Sequence, residues 1–202
     1  MAKRINFEQA LNTQLRWPMQ SDQPFSEASE PAGNANISGD GFTRFVLMIE
    51  GYKKAADLMV ERTIKDWGER DMLVFPIIFN YRHFLELSLK YHLATHGHGV
   101  GVAAIWNSHD LVRLWSGFRD MLDRYEIDDP DEADPIVESI MLSYAQVDPG
   151  SFSHRYPVDR QGKPLPVARS ELDLKNLADA MNAVANYFKG TDGYLSDLAN
   201  AY

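Results

Sequence analysis

The stretch FNYRHFLELSLKYHL, residues 79 to 93, places Arg82, Glu86 and Lys90 four residues apart within a strongly apolar helical pattern. On a helix, side chains at that spacing stack along one face, so Arg82 can pair with Glu86, and Glu86 with Lys90. Two cations flanking a carboxylate suit phosphate chemistry, with the cations on the anion and Glu86 orienting them. The bland reading is a salt-bridged ladder at the margin of a core or in a dimer seam, and most such ladders are structural. Because the stripe lies among Phe75, Phe79, Leu89 and Leu93, Glu86 must be hydrogen-bonded, either internally or to a partner molecule.

Two further groups complete the candidates. His109, between Ser108 and Asp110, sits where a new helix pattern begins. A polar helix start can bind an anion or orient an imidazole, which makes His109 the candidate acid/base and Asp110 a candidate binding residue. FSHRYPVD, residues 152 to 159, sets His154, Arg155 and Tyr156 side by side, an arginine for phosphate and an aromatic for stacking. The same residues could simply staple a loop to the body of the protein. His92 and His96, at i and i+4, raise a metal hypothesis, but the spacing after them leaves the helix and no HExxH pattern occurs. They read as surface or capping histidines, and neither a metal nor a cofactor is expected. No Walker loop, GxGxxG, GxSxG or CxxC element is present, which disfavours P-loop hydrolysis, Rossmann redox chemistry and hydrolase triads.

These residues need helices to position them. Phe45, Ile49, Tyr52, Ala56, Met59 and Val60 recur at helical spacing before Gly68, and a second pattern runs from about Asp71 to Thr95, with Pro76 tolerated near its start. This second helix is apolar nearly all round, with Phe75, Ile78, Phe79, Leu85, Leu89 and Leu93 on one arc and Ile77, Phe84 and Leu87 opposite, so it is the central one. Ser108 is the expected N-cap of a third helix bearing Leu111, Leu114, Trp115, Phe118, Leu122 and Tyr125. A fourth spans Pro135 to Val147. The last starts at Ser170 with the SELD variant of a capping box and stops at Gly190. Between these two, proline-rich residues 148 to 169 lack helical period and form a long loop or a small hairpin turning at Arg160 to Lys163. The economical architecture is all-α: an up-and-down bundle of four to five helices. Residues 1–41 read as an N-terminal arm with a short helix over 6–16, residues 42–190 as the bundle, and 191–202 as a tail.

Composition sets outer limits. The chain has 202 residues, 45% hydrophobic and 24% charged, with no cysteine and a formal net charge of -9. These are the proportions of an ordinary soluble domain with no apolar run of membrane-spanning length, and a cytoplasmic setting is expected. The net charge opposes non-specific nucleic-acid binding, so any such contact needs a local basic patch. Charge is uneven: residues 126 to 134 hold six carboxylates in nine positions, whereas 155 to 163 hold three basic residues and one aspartate.

YRHFLELSLKYHL followed by SHDLVRL, and then FSHRYPVD ahead of a leucine-rich last helix, resembles the HEPN superfamily over roughly residues 42 to 190. The resemblance implies a helical bundle that commonly forms a homodimer in bacterial toxin-antitoxin or phage-defence settings. Some members cut RNA, and others only bind or scaffold. RNA-cleaving members carry an arginine, a short run of residues and then a histidine. Here Arg82 precedes His83 directly and His92 only after nine intervening residues, while His154 precedes Arg155. The reading that follows is a homodimeric RNA- or nucleotide-binding module in a stress or defence setting. The alternatives are a divergent metal-independent ribonuclease built on His109, Arg82 and Arg155, and an assembly module for a cognate protein partner. Glu86, Lys90, Asp110 and Tyr156 are the expected binding residues.

Overall fold

The structure is a computed structural model that describes residues 16–37, 39–127, 132–148, 154–166 and 169–200. The chain divides into two units, residues 1–38 and 39–202. In the first, Pro31–Gly33 forms one 3-10 turn, and Asn34 ties back to Ala28 through both its amide oxygen and its amide nitrogen. The helix expected over residues 6–16 falls almost wholly on residues outside the described ones.

The second unit is an all-α bundle of α1 (Gly41–Lys65), α2 (Arg70–His96), α3 (Leu111–Arg124), α4 (Ala133–Val147) and α5 (Leu174–Asn200). Its first helix starts where Asp40 accepts the free amides of Phe42 and Thr43, satisfying donors that no carbonyl of the helix can reach. A four-residue connection turns the chain into α2, and across it the Arg62 guanidinium donates two hydrogen bonds to the Glu69 carboxylate. α2 is central, as its all-round apolar pattern requires. It packs against α1, α3 and α5, while α4 lies on α3. From Phe84 to Lys90 every α2 residue is buried. Each large apolar side chain on this stretch contributes about 1.5–3 kcal/mol by leaving water.

The turn from α2 to α3 is where glycine is indispensable. A Cβ on Gly97 would lie 2.6 Å from the Val102 carbonyl oxygen, and Gly101 has φ +74. The turn closes with the Val102 amide donating to the Gly97 carbonyl at 2.8 Å, and the Tyr125 hydroxyl donates to the carbonyl of His96. Residues 97–110 are thus held against both helices, and this fixes where His109 emerges.

Several expectations need correction. The N-cap of α3 is Asp110, whose Oδ1 accepts from Val112 and Arg113; Ser108, two residues earlier, accepts instead from the Asp110 amide. The last helix begins at Leu174, after Asp173 accepts from Asn176, and it does not stop at Gly190 but continues through Gly193 to Asn200. Burial of Leu195 and the contact of Asp192 with His96 outweigh a glycine cost of about 1 kcal/mol each. His92 and His96 are buried rather than at the surface: His92 faces the carbonyls of Ser88 and Phe188 and packs among Tyr91, Phe118 and Phe188. Phe75 and Phe79, expected on the core arc, lie outward, Phe75 exposed and Phe79 half-buried. Of the two forms open to the loop, the described part takes the hairpin. Val158 bridges Pro164, and Asp159 accepts from the amides of Gln161 and Lys163 around a turn whose Gly162 has φ +77.

Candidate functional site

Arg82, Glu86 and Lys90 form one connected network on the α3-facing side of α2. Arg82, 1% exposed, donates from Nη1 to Glu86 Oε2 at 3.1 Å, from Nη2 to the His109 carbonyl at 2.6 Å and from Nε to the Asp148 carbonyl at 3.3 Å. Its Nε is also 3.8 Å from the Asp148 carboxylate. Lys90 donates to Glu86 Oε1 at 3.0 Å. Burial alone would raise the Glu86 carboxyl, but hydrogen bonding and charge from Lys90 and His109 outweigh it and hold the group below the ordinary glutamate range. Glu86 is therefore an ionised, buried acceptor.

What that acceptor holds is His109. The ring Nδ1 lies 2.8 Å from Glu86 Oε1, while the side chain stays 69% exposed. A carboxylate can only accept, so Nδ1 carries the proton and donates it. In the neutral ring Nε2 is then the lone-pair nitrogen, on a ring turned largely to solvent. The backbone of the same residue is gripped by Arg82, and the helix after it is capped by Asp110. His109 is thus fixed at its carbonyl, its ring and its chain continuation. That is the geometry of an oriented base, and Asp110 serves it as a cap.

The network buries Arg82 and Lys90 with their donors turned inward, so their task is to hold Glu86, His109 and Asp148 in place rather than to touch a phosphate. Arg155 is different. It is exposed, with its guanidinium over the rings of Phe79 at 5.6 Å and Tyr156 at 5.8 Å. Phe79 in turn stacks on His83, with centroids 5.8 Å apart and planes 10° from parallel, and Tyr52 of α1 meets His83 edge-on at 4.4 Å. Tyr156, Phe79, His83 and Tyr52, with Arg155 above, make a strip of partly exposed rings beside the Arg82–Glu86 ladder. Burial lowers the His83 imidazole from its ordinary value; Glu86 opposes this, while Arg82, Lys90 and His109 add to it. His83 is thus a neutral ring at neutral pH, suited to stacking.

Five of these participants were given no site role from the sequence, Tyr52 of α1 among them. His83 and Phe79 were hidden by the strong apolar pattern of α2, which gave no sign that this flank meets Tyr52 of α1 and Arg155 of the loop. Asp148 and His154 join through chain folding alone: His154 Nδ1 is 3.7 Å from the Asp148 carboxylate, which closes the network from the loop side. Their adjacency to a helix end and to Arg155 was the only signal available. Among the described residues no cluster of three or more His, Asp or Glu is arranged to hold a metal. No helix among them is long and apolar enough to cross a membrane.

The chain matches no protein-family model, no curated protein and no solved structure.

Proposed function

We propose that this is a HEPN-like helical protein that acts as a homodimeric RNA- or nucleotide-binding module in a bacterial stress or defence setting. The observation that carries the binding reading is the Arg155 guanidinium over the rings of Tyr156 and Phe79, with His83 stacked on Phe79. Aromatic faces accept unpaired bases of any sequence, and a neighbouring guanidinium takes the phosphate, which is how single strands are gripped without base readout. The net charge of -9 then acts as a filter, leaving binding to this local cation. Exposed Leu47, Met48 and Leu58 on α1 support a seam for a second copy.

A second reading, a metal-independent ribonuclease, is supported by the Glu86-held imidazole of His109. An oriented base can take the proton of a ribose 2′-hydroxyl as that oxygen attacks the adjacent phosphorus. In that reading Arg155 is the candidate stabiliser of the developing charge. Fluorescence anisotropy with a labelled single-stranded RNA oligonucleotide and its duplex tests the binding module. Single-strand preference is expected, and Tyr156→Ala should weaken it by about 1–3 kcal/mol per stacked base; equal affinity of wild type and Tyr156→Ala would sink the reading. Gel assays of mixed RNA with wild type and His109→Ala test the enzyme, which is lost if neither protein cuts or both cut equally.

A further inference from the structure

A second group of rings lies further along α2. Phe45 of α1 is 6.0 Å from Trp106, on the segment before α3, and 6.0 Å from Tyr91 of α2, which in turn meets Phe42 at 5.3 Å. Trp106 is 60% exposed and Phe42 48%. Trp106 is nonetheless held in place, because its neighbour Ile105 packs so closely on α3 that a Cβ on Gly117 would lie 2.9 Å from Ile105 Cδ1. Four linked rings from three segments, two of them open to water, exceed the scatter of single exposed apolar residues that any surface shows.

The helical rise orders the two groups. At about 1.5 Å per residue, His83 stands about 6 Å along α2 from Phe79, Glu86 about 10 Å and Tyr91 about 18 Å. Glu86 is the residue that holds His109, so along this axis the exposed imidazole lies between the two groups of rings. One flank of α1 lines both: Tyr52 meets His83, and Phe45, two turns away, meets Tyr91 and Trp106. We infer, resting on the single-strand reading of the Arg155 strip, that Trp106 and Phe45 form a second stacking platform for unpaired RNA. One strand then runs from Arg155 and Tyr156 past His109 to Trp106. At about 3.4 Å per stacked nucleotide, the α2 span alone takes about five nucleotides. Where the first platform has Arg155 over its rings, the second has the Asp192 carboxylate beside Tyr91. Its contribution is therefore stacking, and phosphate neutralisation stays with Arg155.

The test is fluorescence anisotropy of the full chain with labelled oligouridines, a trinucleotide against a decanucleotide, over a range of salt. Wild type should bind the decanucleotide more tightly, because only that probe spans both platforms. Trp106→Leu, at an exposed position, keeps apolar bulk and removes the ring face. It should weaken decanucleotide binding about 5- to 150-fold, the loss of one stacked base, while the slope of log Kd against log salt stays that of wild type. Trp106→Phe should recover most of the affinity, and circular dichroism confirms that each variant is folded. Affinity unchanged in Trp106→Leu but lost in Tyr156→Ala would overturn the second platform and leave the Arg155 strip standing. A slope that falls in Trp106→Leu, or equally weak binding by Trp106→Phe and Trp106→Leu, would overturn stacking at this position. Absence of decanucleotide binding by wild type would overturn both readings.

Discussion

Arg82→Met is the substitution that most sharply separates a scaffold from a ligand contact. The guanidinium serves three acceptors on three segments: Glu86 on the same helix, the His109 carbonyl before α3 and the Asp148 carbonyl after α4. Methionine keeps the aliphatic stem and removes the cation that Glu86 and Asp148 share, leaving Glu86 with Lys90 and His109 alone. Breaking a buried pair by removing one partner costs about 3–5 kcal/mol, because the remaining charge is stranded. In a unit of this size about 1 kcal/mol moves Tm by about 2–4 °C, so a fall of about 6–20 °C is expected. Arg82→Lys should recover little of it, since a single ammonium cannot fork to three acceptors. Urea unfolding followed by circular dichroism and by tryptophan fluorescence gives the free energy and the m-value together. The m-value should be unchanged, because the surface exposed on unfolding is the same. A loss under about 1 kcal/mol would refute the reasoning, and so would unchanged stability combined with weakened RNA binding, which would make Arg82 a phosphate ligand after all.

Other expectations follow from single contacts. Glu86 is held below its unfolded carboxyl value, so the folded state binds fewer protons; the stability this supplies is complete above about pH 4.3 and is lost as pH falls through the lower folded value. Acid unfolding curves should therefore steepen below about pH 4.3 in the wild type and flatten in Glu86→Gln. The hydroxyl of Tyr144 is buried and has no hydrogen-bond partner among the described residues. Tyr144→Phe should accordingly be neutral or raise stability by about 1 kcal/mol in urea titration, and a clear loss would mean the hydroxyl is satisfied. Gly97→Ala would drive a methyl against a backbone carbonyl that cannot yield, so a drop of about 1–3 kcal/mol is expected, with local loosening of the 97–110 connection seen by hydrogen exchange.

The helices were legible because apolar spacing is a local property: α2 reads as central from its own residues, and its charged stripe reads as buried for the same reason. The demand that a buried Glu86 must find hydrogen bonds was also legible, and Lys90, His109 and the Arg82 pairing answer it. What supplied the rest was long-range. Nothing near Gly190 announces that Leu195 will be buried, or that Asp192 will reach His96. Nothing in α2 tells Phe79, which faces the loop, from Phe84, which meets Phe188 of α5 in the core. The two arginines look alike in sequence, each beside a histidine. Only packing makes Arg82 a buried brace and Arg155 an exposed cation over two rings.

That division of labour is the centre of the account, and the salt dependence of RNA affinity tests it most directly. Plotting log Kd for a single-stranded RNA against log salt counts the phosphates neutralised, at about 0.7 per contact for single strands. The account predicts that Arg155→Ala lowers both affinity and slope, the slope by about 0.7. Identical slopes for wild type and Arg155→Ala would contradict it.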